Sequence, residues 1–172
     1  NNSENLTETM KLGLYRDIYD DSQWLLNLIE NLLSVTRVEE GKSKLKIEPQ
    51  MVEEVIEEAL KHVSRDKKNH NITVDIDDDY LMADMDVRLI IQVIINLVDN
   101  AIKYSPKGST INISVYKSYL NYNLDIENEC KDLSEETLPK IFERFYRGKN
   151  SVSKDGLGLG LFIAREIIEK FC

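Results

Sequence analysis

The chain has 172 residues, with 22 basic and 31 acidic side chains and a formal net charge of −9. That length holds one compact domain with an appendage rather than two full domains, and the acidic balance argues against a nucleic-acid binder. Cys130 and Cys172 lie far apart without metal-ligand spacing, so they read as reduced thiols, and there is neither a signal peptide nor an apolar run long enough to span a bilayer.

Residues 1–9 are polar. From Met10 to about Val38 an apolar seam runs through Leu12, Tyr15, Ile18 or Tyr19, Ser22, Leu25 or Leu26, Ile29, Leu32 or Leu33 and Thr36. This three-four alternation belongs to a helical bundle or coiled coil, and one helix alone cannot bury it. Its partners are either helices of a second chain or the surface of its own domain. Glu39–Lys44 carries Gly41 as a helix stop, which places a boundary between residues 1–40 and 41–172.

Beyond the boundary, Leu45–Glu48 reads as a short strand and Val52–Val63 as a helix with Val52, Val55, Ile56, Ala59, Leu60 and Val63 inward. The acidic face of that helix is a solvated surface. Asn71–Ile76 alternates as a strand, Asp77–Asp79 turns, and Tyr80–Ala83 returns as its hairpin partner. The DIDDD run lacks the loop glycine and terminal glutamate of an EF-hand, so it is no calcium loop.

The stretch from Asp86 to Tyr104 is an amphipathic helix, with Asp86 at its N-cap and Pro106 just past its end. Leu89, Ile90, Val93, Ile94, Leu97, Val98, Ala101 and Ile102 recur at helical spacing. Asn96, Asn100, Lys103 and Tyr104 fall at i, i+4, i+7 and i+8 and share a polar stripe. They offer amide oxygen for a metal, charge for a phosphate and a ring for stacking. Periodicity alone also fits an ordinary half-buried helix. Thr110–Lys117 and Tyr122–Asn128 form a hairpin. Phe142 and Phe145 read as core anchors of the following segment. The run GLGLGL then leads from a loop into a helix over Leu161–Glu169, where glycines bring backbone N–H groups and a helix N-terminus towards an anion.

Three ordered motifs carry a family resemblance. NLVDNAIKYSP resembles the N box of sensor histidine kinases, IFERFYRG (Ile141–Gly148) their F box, and GLGLGL (Gly156–Leu161) their second glycine box. The helix DSQWLLNLIENLLSVTRVEEGK is most similar to the Kdp-type kinases that regulate potassium uptake. The resemblance implies a two-layer α/β sandwich of the histidine-kinase, gyrase and Hsp90 ATPase superfamily, with a mixed sheet and helices on one face. Residues 1–40 would be the second helix of a dimerisation hairpin, and residues 41–172 the ATP-binding catalytic domain.

The resemblance also implies a site for ATP and Mg²⁺. Asn100 would be the metal ligand, Lys103 would neutralise phosphate, and Tyr104 would pack on the sugar or base. Gly156, Gly158, Gly160 and Leu161 would form the phosphate loop, with Phe145 and Arg147 beside a lid over Gly148–Asp155. Lys103, Arg144, Arg147, Lys149 and Lys154 could offset the acidic surface locally. Asn96 stands where related ATPases carry a glutamate that activates water. An amide has no useful basicity, so the implied reaction is phosphoryl transfer to histidine rather than ATP hydrolysis. The implied partners are a second copy through the N-terminal helix and a response-regulator receiver domain. The implied place is the cytoplasmic portion of a bacterial membrane-bound sensor, with the membrane reached only through upstream segments, and the implied role is in potassium or osmotic sensing.

The chain departs from the family pattern in three places. Neither His62 nor His70 carries the phosphoacceptor pattern, so the acceptor would lie outside this chain. Where the first glycine box expects Asp-x-Gly-x-Gly, the chain has Asn128, Glu129, Cys130, Lys131 and Asp132. Asn128 can still accept from the adenine amino group, without charge assistance. The terminal β-hairpin of the family is not found after the last helix. Two rivals follow from these features. One is a degenerate dimerisation or regulator-contact module that binds no nucleotide; the other is an ATPase of the same superfamily, which Asn96 in place of glutamate opposes.

Overall fold

The computed structural model describes residues 7, 8, 10–16, 18, 19, 22, 25, 26, 29, 45–63, 65–78, 80–119, 121–130, 134–148 and 157–171. The described residues from Glu8 to Ile29 are helical, and Met10, Leu12, Leu14, Tyr15, Ile18, Tyr19, Leu25, Leu26 and Ile29 are exposed. The apolar seam is therefore presented to solvent in the single chain over its described length. Its continuation through Leu32, Leu33 and Thr36, and the boundary at residues 39–44, lie outside the described residues.

Strand β1 (Glu48–Met51) runs straight into helix α1 (Val52–His62). Strands β2 (Asn71–Ile76) and β3 (Met82–Met85) precede the long helix α2 (Val87–Tyr104). Strands β4 (Thr110–Ser118) and β5 (Asn121–Asn128) form the expected antiparallel hairpin, and helix α3 (Gly160–Ile168) follows the glycine run. The main sheet is mixed, in the order β2-β4-β5, with β2 parallel to β4. A parallel pair needs a long crossover, and β3 with α2 supplies it.

Two expectations are corrected. The first strand begins at Glu48 rather than Leu45, and Pro49 sits within it. Proline is tolerated there because β1 belongs to a two-stranded ladder, which leaves an edge that needs no donor. The second is the partner of β3, which lies antiparallel to β1, with Met51 opposite Met82, and forms no hairpin with β2. The N–H of Val52 donating to the carbonyl of Leu81 at 2.9 Å carries that ladder into α1.

Alternation along β4 buries Ile111, Ile113 and Val115 on one face and leaves Thr110, Asn112 and Tyr116 exposed on the other. On the buried face, these residues meet Ile56 and Ala59 of α1 and Ile94, Val98, Ala101 and Ile102 of α2. A second, smaller cluster joins α2 to α3: Val93 packs with Leu159, Ile163, Ala164 and Ile167, flanked by Leu89 and Leu97. Helix α2 is thus buried along two of its faces.

Candidate nucleotide site

Asp86 occupies the N-cap position of α2, but its side chain makes no cap bond. Its carboxylate, only 3% exposed, accepts instead from the backbone N–H of Lys46 at 3.0 Å and stands 3.4 Å from the Arg88 guanidinium. Burial pushes its pKa up, but the Lys46 N–H and the Arg88 guanidinium outweigh that and hold it below the ordinary value. The acid therefore ties the chain entering the domain to the root of α2.

Of the stripe on α2, Asn96 is buried at 8% exposure, while Asn100, Lys103 and Tyr104 are half-buried. The side-chain Nε2 of Gln92, one turn earlier, donates to Asn96 Oδ1 at 3.2 Å. Among the described residues, Asn96 Nδ2 is then buried without a hydrogen-bond partner. An orphaned buried donor is costly unless something accepts from it. Asn96 lies against Gly160, the first residue of α3, whose added Cβ would stand 3.8 Å from Asn96 Oδ1. The orphan donor and a helix N-terminus, both favourable to an anion, therefore lie together. Lys103 Nζ lies 5.6 Å from the Tyr104 ring centre.

The F-box segment docks onto the glycine run through backbone. Phe145 and Gly158 both have positive φ, 64° and 72°. The Phe145 N–H donates to the Gly158 carbonyl at 3.1 Å. Arg144 adds a guanidinium 5.0 Å from the Phe162 ring centre on α3. Phe142 and Phe145 are not core anchors: both are exposed, Phe145 at 58%. The anchoring comes from backbone and from Arg144 instead. Leu161 is half-buried in the first turn of α3 and Arg147 is exposed, while Gly156, Lys149 and Lys154 lie outside the described residues.

Asn128, at the end of β5, reaches the other end of α2. Its Nδ2 donates to Ser105 Oγ at 3.0 Å and to the Glu129 carbonyl at 3.2 Å. Ser105 is the C-cap of α2. A shallow cleft of about 260 Å³ lined by Thr110, Asn112, Glu127, Asn128 and Glu129 opens nearby. Thr110, Asn112 and Glu127 belong to the face of the sheet turned away from the helices, so this cleft does not coincide with the stripe.

Asn96 and Asn128 thus lie towards opposite ends of the polar stripe on α2. Nine residues separate Asn96 from Ser105, about 13 Å of helix at 1.5 Å per residue. Sequence reasoning missed Gln92 and Ser105. Their signal was available: a carboxamide one turn before Asn96, and a hydroxyl at the helix stop before Pro106.

Comparisons with known proteins show the family and the fold. Residues 85–172 fit the model of the histidine kinase-, DNA gyrase B- and HSP90-like ATPase family. The chain belongs to that family. Within it, the relatives include proteins named as sensors and as histidine kinases. The Sensor protein KdpD of Clostridium acetobutylicum is 48% identical over 170 residues, 98% of this chain but 19% of that protein. The chain therefore spans about a fifth of that relative's length. The Acinetobacter baumannii histidine kinase AdeS superposes with a TM-score of 0.70 at 26% identity, over 98% of this chain and 76% of that one. The histidine kinase ThkA, solved in complex with the response regulator protein TrrA, shares the fold at a TM-score of 0.64 and 23% identity, over 99% of this chain and 46% of that one.

The donor set suits magnesium. Among the described residues no cluster of three or more His, Cys, Asp or Glu could hold a metal. Mg²⁺ does not need one, since it keeps several waters and takes one or two protein oxygens together with substrate phosphates. The half-buried amide of Asn100, one turn from Asn96, offers such an oxygen.

Proposed function

We propose that this chain binds Mg-ATP along α2 and serves as the catalytic domain of a sensor histidine kinase. The observation that carries the reading is the buried, unpartnered Nδ2 of Asn96 beside the N-terminus of α3. An anion bound there would satisfy an orphan donor and meet a favourable helix end at once. In this reading Asn100 holds Mg²⁺, which neutralises charge on the phosphates. Lys103 adds a compact positive charge, and the first turn of α3, with Gly160 and Leu161, presents backbone N–H groups. Gly158 shapes the loop leading to that turn, with Phe145 and Arg147 beside it. Asn128 and Tyr104 take the base and sugar at the other end.

Asn96 donates a hydrogen bond but accepts no proton from water, so the γ-phosphoryl is kept for a histidine. The acceptor histidine belongs to a part of the protein outside this chain. Relay then passes to a response regulator, a partner class with which the relative ThkA is solved. The exposed seam from Met10 to Ile29 supports residues 1–40 as a dimerisation helix pairing with a second copy. The likeness to a Clostridium acetobutylicum protein named KdpD favours potassium sensing on the cytoplasmic side of a membrane.

Calorimetric titration with a non-hydrolysable ATP analogue, with and without Mg²⁺, tests the reading. Metal-dependent binding is the expected result. A folded chain that takes up no nucleotide would instead support the degenerate module, which the replacement of both first-box glycines by Cys130 and Asp132 favours.

A further inference from the structure

We infer that Ser105 locks the amide of Asn128 so that the site presents an acceptor oxygen alone, and that this lock selects the purine base. The inference rests on the nucleotide reading above and concerns the base end of that same site. Ser105 O–H donates to the Ala101 carbonyl at 2.6 Å, and a carbonyl can only accept. The Ser105 oxygen is therefore left as an acceptor towards Asn128, which must turn its NH₂ side to it. The second amide hydrogen goes to the Glu129 carbonyl. Both donors of Asn128 are committed, and Oδ1 is the polar group it has left to offer.

An asparagine at a base-reading position is ordinarily ambiguous. Turned one way it accepts from an exocyclic amino group, and turned the other way it donates to an exocyclic oxo group. The hydroxyl at position 105 removes the second option. Asn128 then acts as an uncharged stand-in for a carboxylate, accepting from the amino group of adenine and opposing the oxo group of guanine. Side-chain alternation along β5 is consistent, since Asn128 shares a face with Leu124 and Ile126, which pack towards the helices.

The test is a competition measurement on the full chain with the β,γ-imido analogues of ATP and GTP. Wild type is expected to prefer the adenine analogue. Ser105→Ala removes one of the two acceptors that hold the amide, leaving the Glu129 carbonyl, and should cut the adenine-to-guanine affinity ratio by up to roughly five- to tenfold, the worth of one neutral hydrogen bond. Ser105→Thr keeps the hydroxyl and should keep the ratio. A purely structural role for Ser105 would weaken both analogues equally and leave the ratio alone.

The double variant Ser105→Ala/Asn128→Asp separates the two accounts further. A carboxylate has no donor to present, so selectivity should return although the hydroxyl is gone. Equal affinity of wild type for the two analogues, or a ratio unmoved in Ser105→Ala, would overturn the inference and leave the nucleotide site standing. Binding of neither analogue by folded wild type would remove the site itself, and the inference with it.

Discussion

Gly158→Ala probes the joint between the F-box segment and the glycine run. A Cβ at position 158 would collide with the Tyr146 carbonyl oxygen and stand 2.9 Å from the Phe145 carbonyl carbon. Both obstacles are backbone, so no side-chain rotation relieves them. With φ at 72°, alanine also incurs about 1–2 kcal/mol for the left-handed conformation. Separating the segments breaks the hydrogen bond from Phe145 N–H to the Gly158 carbonyl, about 1 kcal/mol more. The joint is therefore weakened by roughly 2–3 kcal/mol, about a 30- to 150-fold rise in the population with it open. Amide hydrogen exchange at Phe145 reads this directly. Gly108→Ala is the control: φ there is 84°, and nothing lies within 4 Å of the added Cβ, so only the conformational term applies. If Gly158→Ala protects Phe145 as well as wild type does, or costs no more than Gly108→Ala, the steric account of this joint is wrong.

Further outcomes follow from other parts of the structure. Asp86→Ala leaves the Lys46 N–H without its acceptor and should lower stability to urea by about 1.5–3 kcal/mol. Because the folded pKa of Asp86 is depressed, its ionised form stabilises the fold fully above the ordinary carboxylate value of 3.8, and that contribution is lost as pH falls below it. The Asp86→Ala variant should accordingly show a shallower loss of stability on acidification than wild type. Asn100→Ala should abolish the Mg²⁺ dependence of nucleotide binding in the calorimeter, and a metal response equal to wild type would remove its role as ligand. Ile163→Ala truncates a side chain 1% exposed in the α2–α3 cluster and should cost about 2–5 kcal/mol, read by thermal melting and by exchange in α3.

The elements most legible in the sequence were those whose own periodicity specifies them. Helix α2 ends where expected, because Ser105 and Pro106 stop it and its apolar positions sustain one period throughout. The β4–β5 hairpin was equally clear, since two alternating runs adjacent in sequence pair locally. The partner of β3 was not legible. Alternation specifies a face, but which distant strand lies alongside is decided by the crossover and by packing. Phe142 and Phe145 misled for a related reason: apolar residues at helical spacing imply a core only within a helix, and here Phe145 ends a turn with positive φ that phenylalanine normally avoids. At the candidate site, residue types pointed to Asn96 and Asn128. The hydrogen bonds that orient them, from Gln92 and to Ser105, emerged only once the backbone brought those side chains together.

The two clusters on α2 explain why the polar stripe can be both fixed and adjustable. One side of the helix packs on α1 and the sheet through Ile94, Val98, Ala101 and Ile102. A second side packs on α3 through Val93, with Leu89 and Leu97 alongside. Burial of two sides leaves α2 little freedom to roll, so Asn100, Lys103 and Tyr104 keep a constant bearing. The Asn128 end of the stripe depends on the larger cluster, since Asn128 and Ser105 stand at the ends of β5 and α2. The Asn96 end depends also on α3, which is held by the smaller cluster, by the Arg144–Phe162 contact and by the backbone joint at Phe145 and Gly158. Regions with fewer buried apolar contacts open first. On the proposed nucleotide reading, a base end mounted on the main core and a phosphate end mounted on a lighter element would let the site hold its base while its phosphate side loosens.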